Sequence, residues 1–162
     1  MSNNEIVNLD VKIAFKYRKP KESFANKLIC WWTKSQYFHV ELIIGSKWIS
    51  SNPDVGGVTI NDLQPLKDTY HYLELKNVYV TTEQHNKIMQ WINSQSGKKY
   101  DWKAIILCCA IPLSWHSRNK WFCSEIVTTI LKFMLVKEVM DLEPHNTTPG
   151  DLARKFNFNK QG

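Results

Sequence analysis

The segment that most constrains this chain is Tyr37 to Ile44, YFHVELII, which stops at Gly45-Ser46 and resumes as Lys47-Trp48-Ile49-Ser50-Ser51. A strand-like run broken by a two-residue turn and followed by a second strand-like run specifies an antiparallel hairpin. Neighbouring segments supply more strands. Val11 to Phe15, VKIAF, alternates apolar with polar residues, and Val58 to Ile60 and Tyr70 to Val80 are also strand-like. Asn52-Pro53-Asp54 and Gly56-Gly57 force turns between the hairpin and the next strand.

Helical patterns stand before and after these strands. Ser23 is an N-cap for a short helix with Phe24, Leu28, Trp31 and Trp32 in helical spacing. Thr82 to Ser94 opens with Thr and Glu, places Ile88, Trp91 and Ile92 on one face, and is closed by Gly97. An apolar helix is expected from about Trp102 to Ile111, stopped by Pro112, and another from Cys123 to about Val136. The turn-rich tail, PHNTTPGDLARKF, carries a short helix starting near Pro149. Strands in the first half with helices set around them define an α+β fold, an antiparallel sheet packed against helices.

With 162 residues, 43% of them hydrophobic, the chain suffices for one sizeable core, so residues 1–162 are expected to form a single domain. Cys30, Cys108, Cys109 and Cys123 contain no CxxC pair, which argues against a zinc site or a disulfide framework. Cys108 and Cys109, in an apolar run, are expected to be inert core thiols. The polar start MSNNEIVNLD does not read as a signal peptide, and no apolar stretch reaches the length of a membrane span. A cytoplasmic location is the resulting expectation. The formal charge of +6 favours encounter with anionic partners without choosing among them, and the basic cluster KYRKPK, Lys16 to Lys21, reads as a solvated loop.

Chemistry concentrates at Trp121-Phe122-Cys123-Ser124-Glu125. A thiol at the start of a helix points toward the positive end of the peptide dipoles, where a thiolate is favoured. A nucleophilic thiol also needs a base, and His39, at the start of the strand HVELII and 84 residues earlier, offers one from a rigid support.

The order of segments extends this pairing into a resemblance. A helix, then YFHVELIIG, GGVTINDLQPL, GKKYDW, WFCSEIV and TPGDLA together resemble the circularly permuted NlpC-type branch of the papain-like hydrolases over about residues 8–155. In that branch the histidine strand precedes the cysteine helix, and relatives include amidases, peptidases and the lecithin:retinol acyltransferase group. The resemblance implies a papain-like fold, Cys123 as nucleophile, His39 as base, and acyl transfer through a thioester. The implied substrate is an amide or ester of a peptide, a cell-wall fragment or a lipid, with no cofactor, no metal, and nucleic acid disfavoured. Trp121, Ser51 and Tyr100 are the expected substrate contacts.

The orienting third residue of that family falls near Ser50, Ser51 or Asn52, none of them ionisable. Glu41, two residues beyond His39 and therefore on the same strand face, is the substitute. It either accepts from the imidazole, holds a substrate cation, or marks the edge of a solvent-lined cleft. Glu125 is less suited, because two residues along a helix turn it away from Cys123. His71, His85, His116 and His145 lack metal-ligand spacing and read as surface residues. Most of the seven tryptophans read as core, with Trp115 and Trp121 placed to line a cleft, and the loop Pro112 to Lys120 is basic and aromatic. The competing expectation is a basic binding module on the same scaffold, with Cys123 idle, docking to a protein, nucleic acid or membrane.

Overall fold

The computed structural model describes residues 4–101 and 120–158. The helix expected over 102–111, Cys108, Cys109, Trp115, His116 and most of the 112–120 loop lie outside the described residues.

Seven strands, β1 (Ile6–Tyr17), β2 (Tyr37–Ile44), β3 (Lys47–Asn52), β4 (Gly57–Asp62), β5 (Tyr70–Thr81), β6 (Lys99–Tyr100) and β7 (Lys120–Trp121), form one sheet in the order β5-β1-β2-β3-β4-β6-β7. Every pairing is antiparallel except β6 with β7. Four helices accompany the sheet among the described residues: α1 (Phe24–Trp32), α2 (Thr82–Gln95), α3 (Cys123–Phe133) and α4 (Pro149–Lys155). The architecture is α+β. No described helix is long and apolar enough to cross a membrane.

The hairpin turn at Gly45-Ser46 sets the register Ile44↔Lys47, Ile43↔Trp48 and Leu42↔Ile49. One sheet face, carrying Val11, Ile13 and Phe15 of β1 and Val40 and Leu42 of β2, packs against Ile126, Ile130 and Leu131 of α3, with Ile88 and Ile92 of α2 and Leu152 of α4 completing the core. The opposite face holds a smaller cluster of Ala14, Ile43, Trp48 and Tyr70. Alternation along β2 therefore assigns Glu41 and Ile43 to the small cluster and Val40 and Leu42 to the large core.

Side-chain caps fix several helix starts. Ser23 Oγ accepts from the Asn26 N–H, and Thr81 with Gln84 and Thr148 with Asp151 form reciprocal capping boxes. Gly57 permits a close backbone approach: a Cβ there would lie 2.1 Å from the Lys98 carbonyl oxygen. Through that contact β4 receives β6, with the Tyr100 N–H donating to the Gly56 carbonyl.

Several expectations are corrected. β1 runs on through Lys16 and Tyr17, so the basic cluster begins inside a strand. α3 ends at Phe133, where Leu135 adopts a left-handed φ of 58°. Trp31 and Trp32 are not core residues: they are 70% and 50% exposed, because α1 turns Cys30 and Thr33 inward instead. His71 is not a simple surface residue, since it stacks on Tyr17 and its Nδ1 lies 3.0 Å from the Tyr37 hydroxyl.

Candidate active site

Two residues along β2 place His39 and Glu41 on one side of the strand, and His39 Nε2 lies 3.0 Å from Glu41 Oε1. Both are buried, each 6% exposed. The rest of the carboxylate is also saturated. Ser50 Oγ donates to Oε1 at 2.6 Å, Trp48 Nε1–H donates to Oε2, and the Tyr70 hydroxyl faces the same group. Burial opposes the charge on Glu41, but the hydrogen bond and charge of His39, followed by the bonds from Ser50 and Trp48, hold its carboxyl down at about 2. Glu41 is thus a permanent anion at the back of the imidazole.

Cys123 is the first residue of α3. The N-cap, Phe122, has no side chain able to accept a hydrogen bond, and Glu125 at the third helical position instead accepts from the Phe122 N–H. That is half of a capping box. The Ser124 N–H is left to aim at the Cys123 sulfur, which also accepts from the Val40 N–H. Val40 lies past the end of the β2–β3 ladder, which stops at Leu42–Ile49.

The thiol and the imidazole interact directly across this gap. Burial alone would raise the Cys123 ionisation, but the charge and contact of His39, then the Val40 and Ser124 N–H groups, bring it below the ordinary thiol range. Burial likewise works against a charged His39, and the Cys123 thiolate, then Glu41, raise its proton affinity to about 10. With Nε2 engaged by Glu41, Nδ1 is the ring nitrogen left for the sulfur. The two groups are coupled, the charged form of each favouring the charged form of the other.

Tyr100, carried in by β6, faces Cys123 and is 7% exposed. Burial and then the thiolate's charge hold its hydroxyl protonated far above the usual range. It is a donor beside sulfur. Ser51 has no exposed surface and donates to the Trp121 carbonyl at 2.7 Å, tethering the strand that delivers Cys123. Trp121 is itself 9% exposed, with its indole N–H donating to Gln95 Oε1. Of the three residues expected to touch substrate, Tyr100 stands at the sulfur, while Ser51 and Trp121 bond to protein partners. Asn52 caps the Asp54 N–H, and Ser50 reaches the imidazole only through Glu41. Glu125 is buried, and desolvation, with Asp101 nearby, raises its carboxyl to about 7.

Trp48 and Tyr70 are the site residues that sequence reasoning missed. A signal existed for the first: a two-residue turn at Gly45-Ser46, extended one step past Leu42↔Ile49, sets Glu41 opposite Ser50 and diagonal to Trp48. Tyr70 arrives from a distant strand with no local mark. Among the described residues no group of three or more His, Cys, Asp or Glu side chains is arranged to hold a metal.

No protein-family model, no curated protein and no solved structure matches this chain.

Proposed function

We propose that the chain is a thiol-dependent acyl hydrolase or acyltransferase of the permuted NlpC-type papain-like class. The observation that carries this reading is the buried Cys123–His39–Glu41 row, in which the sulfur sits at a helix start and the imidazole lies between it and a carboxylate. A purely structural thiol has no use for a depressed ionisation, whereas a nucleophile does.

The chemistry follows from the charges. The Cys123 thiolate attacks an amide or ester carbonyl, and backbone N–H groups at the start of α3 together with the Tyr100 hydroxyl are the donors close to the oxygen that becomes negative. His39, already protonated, gives its proton to the departing amine or alcohol as the tetrahedral intermediate collapses to a thioester. The neutral imidazole then takes a proton from water or a second acceptor, which attacks the thioester and frees Cys123. Glu41 keeps the ring oriented and stabilises its charged form.

The test is acylation of Cys123 by p-nitrophenyl acetate, followed by intact-mass spectrometry and nitrophenol release. Wild type should show a burst and gain one acetyl group at Cys123, and Cys123→Ala should show neither. Equal behaviour of the two proteins removes the proposal.

A further inference from the structure

Helix α1 is built inside out. Phe24, Leu28, Trp31 and Trp32 follow the i, i+4, i+7, i+8 spacing of one helical face, and they are 81%, 49%, 70% and 50% exposed. In a surface helix of a globular protein such a stripe ordinarily faces the core. Here Cys30 and the capping residue Thr33 face inward, so an aromatic and aliphatic stripe meets water. Isolated exposed apolar residues need no explanation, but a contiguous aromatic face marks an interaction surface.

Charge around this helix identifies what the surface meets. Between Lys16 and Lys34 the chain carries six basic residues and one acidic residue, Glu22, a net +5 of the formal +6 of the whole protein. Arg18, Lys21, Lys27 and Lys34 are exposed, and Lys27, one helical turn before Trp31, borders the apolar stripe. A second copy of the chain would bring two such positive faces together, which like-charge repulsion opposes. An anionic bilayer satisfies both halves: tryptophan and phenylalanine enter the headgroup boundary while lysine and arginine meet the lipid phosphates.

We propose that α1 and the preceding Lys16–Lys21 segment form a docking surface for an anionic lipid bilayer. The helix lies flat on the membrane with Phe24, Leu28, Trp31 and Trp32 inserted. Its C-terminal end leads through a four-residue turn into β2, which carries His39, so docking holds the thiol site close to the lipid surface. The inference concerns binding alone and stands whether or not Cys123 is catalytic.

Sedimentation with sucrose-loaded vesicles tests it, using the full chain at physiological ionic strength. Vesicles of phosphatidylcholine with phosphatidylglycerol should bind the protein, and phosphatidylcholine alone should bind it much more weakly. Trp31→Ser combined with Trp32→Ser should weaken partitioning at least about tenfold. Arg18→Gln, Lys21→Gln and Lys27→Gln together should weaken it on the order of a hundredfold. These side chains are exposed, so circular dichroism should remain that of wild type. Absence of binding to anionic vesicles, or binding indifferent to the tryptophan pair, overturns the proposal. So does concentration-dependent self-association, or binding to a single-stranded oligonucleotide in the absence of vesicle binding, when the tryptophan pair abolishes it.

Discussion

Replacing Glu41 with Gln separates the charge of that side chain from its size, and the structure sets what should follow. Oε1 accepts from His39 and Ser50 and Oε2 from Trp48, so a carboxylate satisfies every donor around it. An amide presents one acceptor and one donor, and one of these buried donors loses its partner. The cost is about 1–3 kcal/mol, or roughly 2–12 °C in Tm for a chain of this size. The titration is the sharper readout. An ordinary histidine loses its proton near 6.5, and His39 keeps its proton to about 10, a preference for the imidazolium of about 5 kcal/mol.

Cys123 and Glu41 share that preference, and an adjacent opposite charge contributes about 1–3 pH units. Glu41→Gln should therefore lower the His39 midpoint by that amount. Because the folded value lies above the unfolded one, the stabilisation from His39 is complete below about pH 6.5 and is lost as pH rises through about 10. In the variant the loss begins correspondingly earlier. The acid limb behaves differently. Cys123 gives up its proton beside an imidazolium that is still charged, so its limb should stay in place or move slightly down as a negative neighbour disappears. His39→Ala, by contrast, should move it up. Ring carbon and nitrogen shifts of His39 report the alkaline limb, and ultraviolet thiolate absorbance measured against Cys123→Ser reports the acid limb. An unchanged His39 midpoint in Glu41→Gln, or an acid limb displaced as far as in His39→Ala, refutes the assignment of roles in this row.

Cys30 provides an internal contrast: burial, with a smaller opposing effect of Arg18, pushes its thiol up to about 11, so alkylation tracked by peptide mass should be at least about tenfold slower than for an ordinary thiol at neutral pH and insensitive to His39→Ala. Glu125 is raised to about 7 chiefly by burial, so its proton stabilises the fold below about pH 4.5 and that contribution is lost as pH rises through 7. Glu125→Gln should remove a destabilisation on the order of 3 kcal/mol at pH 8, seen as a urea midpoint that changes less between pH 5 and pH 8 than in wild type; equal pH dependence of the two would discredit the burial argument. Gly57→Ala sets a Cβ 2.1 Å from the Lys98 carbonyl oxygen, and the displaced backbone should cost about 1–3 kcal/mol while shifting Tyr100 away from Cys123; a wild-type denaturation midpoint would show that the approach is not tight.

Short-range signals were enough to locate several of the elements. Alternation in Val11 to Phe15, the Gly45-Ser46 turn, the Ser23 cap and the Pro149 start each act over a few residues; the turn, the cap and the helix start fall where these signals place them, while β1 extends beyond Val11 to Phe15 and spans Ile6–Tyr17. Cys123 at a helix start and Glu41 on the same strand face as His39 were legible for the same reason, since both follow from the repeat of a single element. The two-residue strand β6 was not legible, because Lys99-Tyr100 has no pattern of its own and is defined by pairing with Gly57 and with β7.

Tertiary structure alone decided which way each pattern faces and what each titratable group feels. Spacing shows that Phe24, Leu28, Trp31 and Trp32 share a face, but only the seating of α1 beside β2 turns that face to water. The chain likewise names Glu41, Ser50, Trp48 and Tyr70 without bringing them together. Their ionisation depends on burial and on charges across strands, which act through space at a few ångströms and leave no trace in the order of residues.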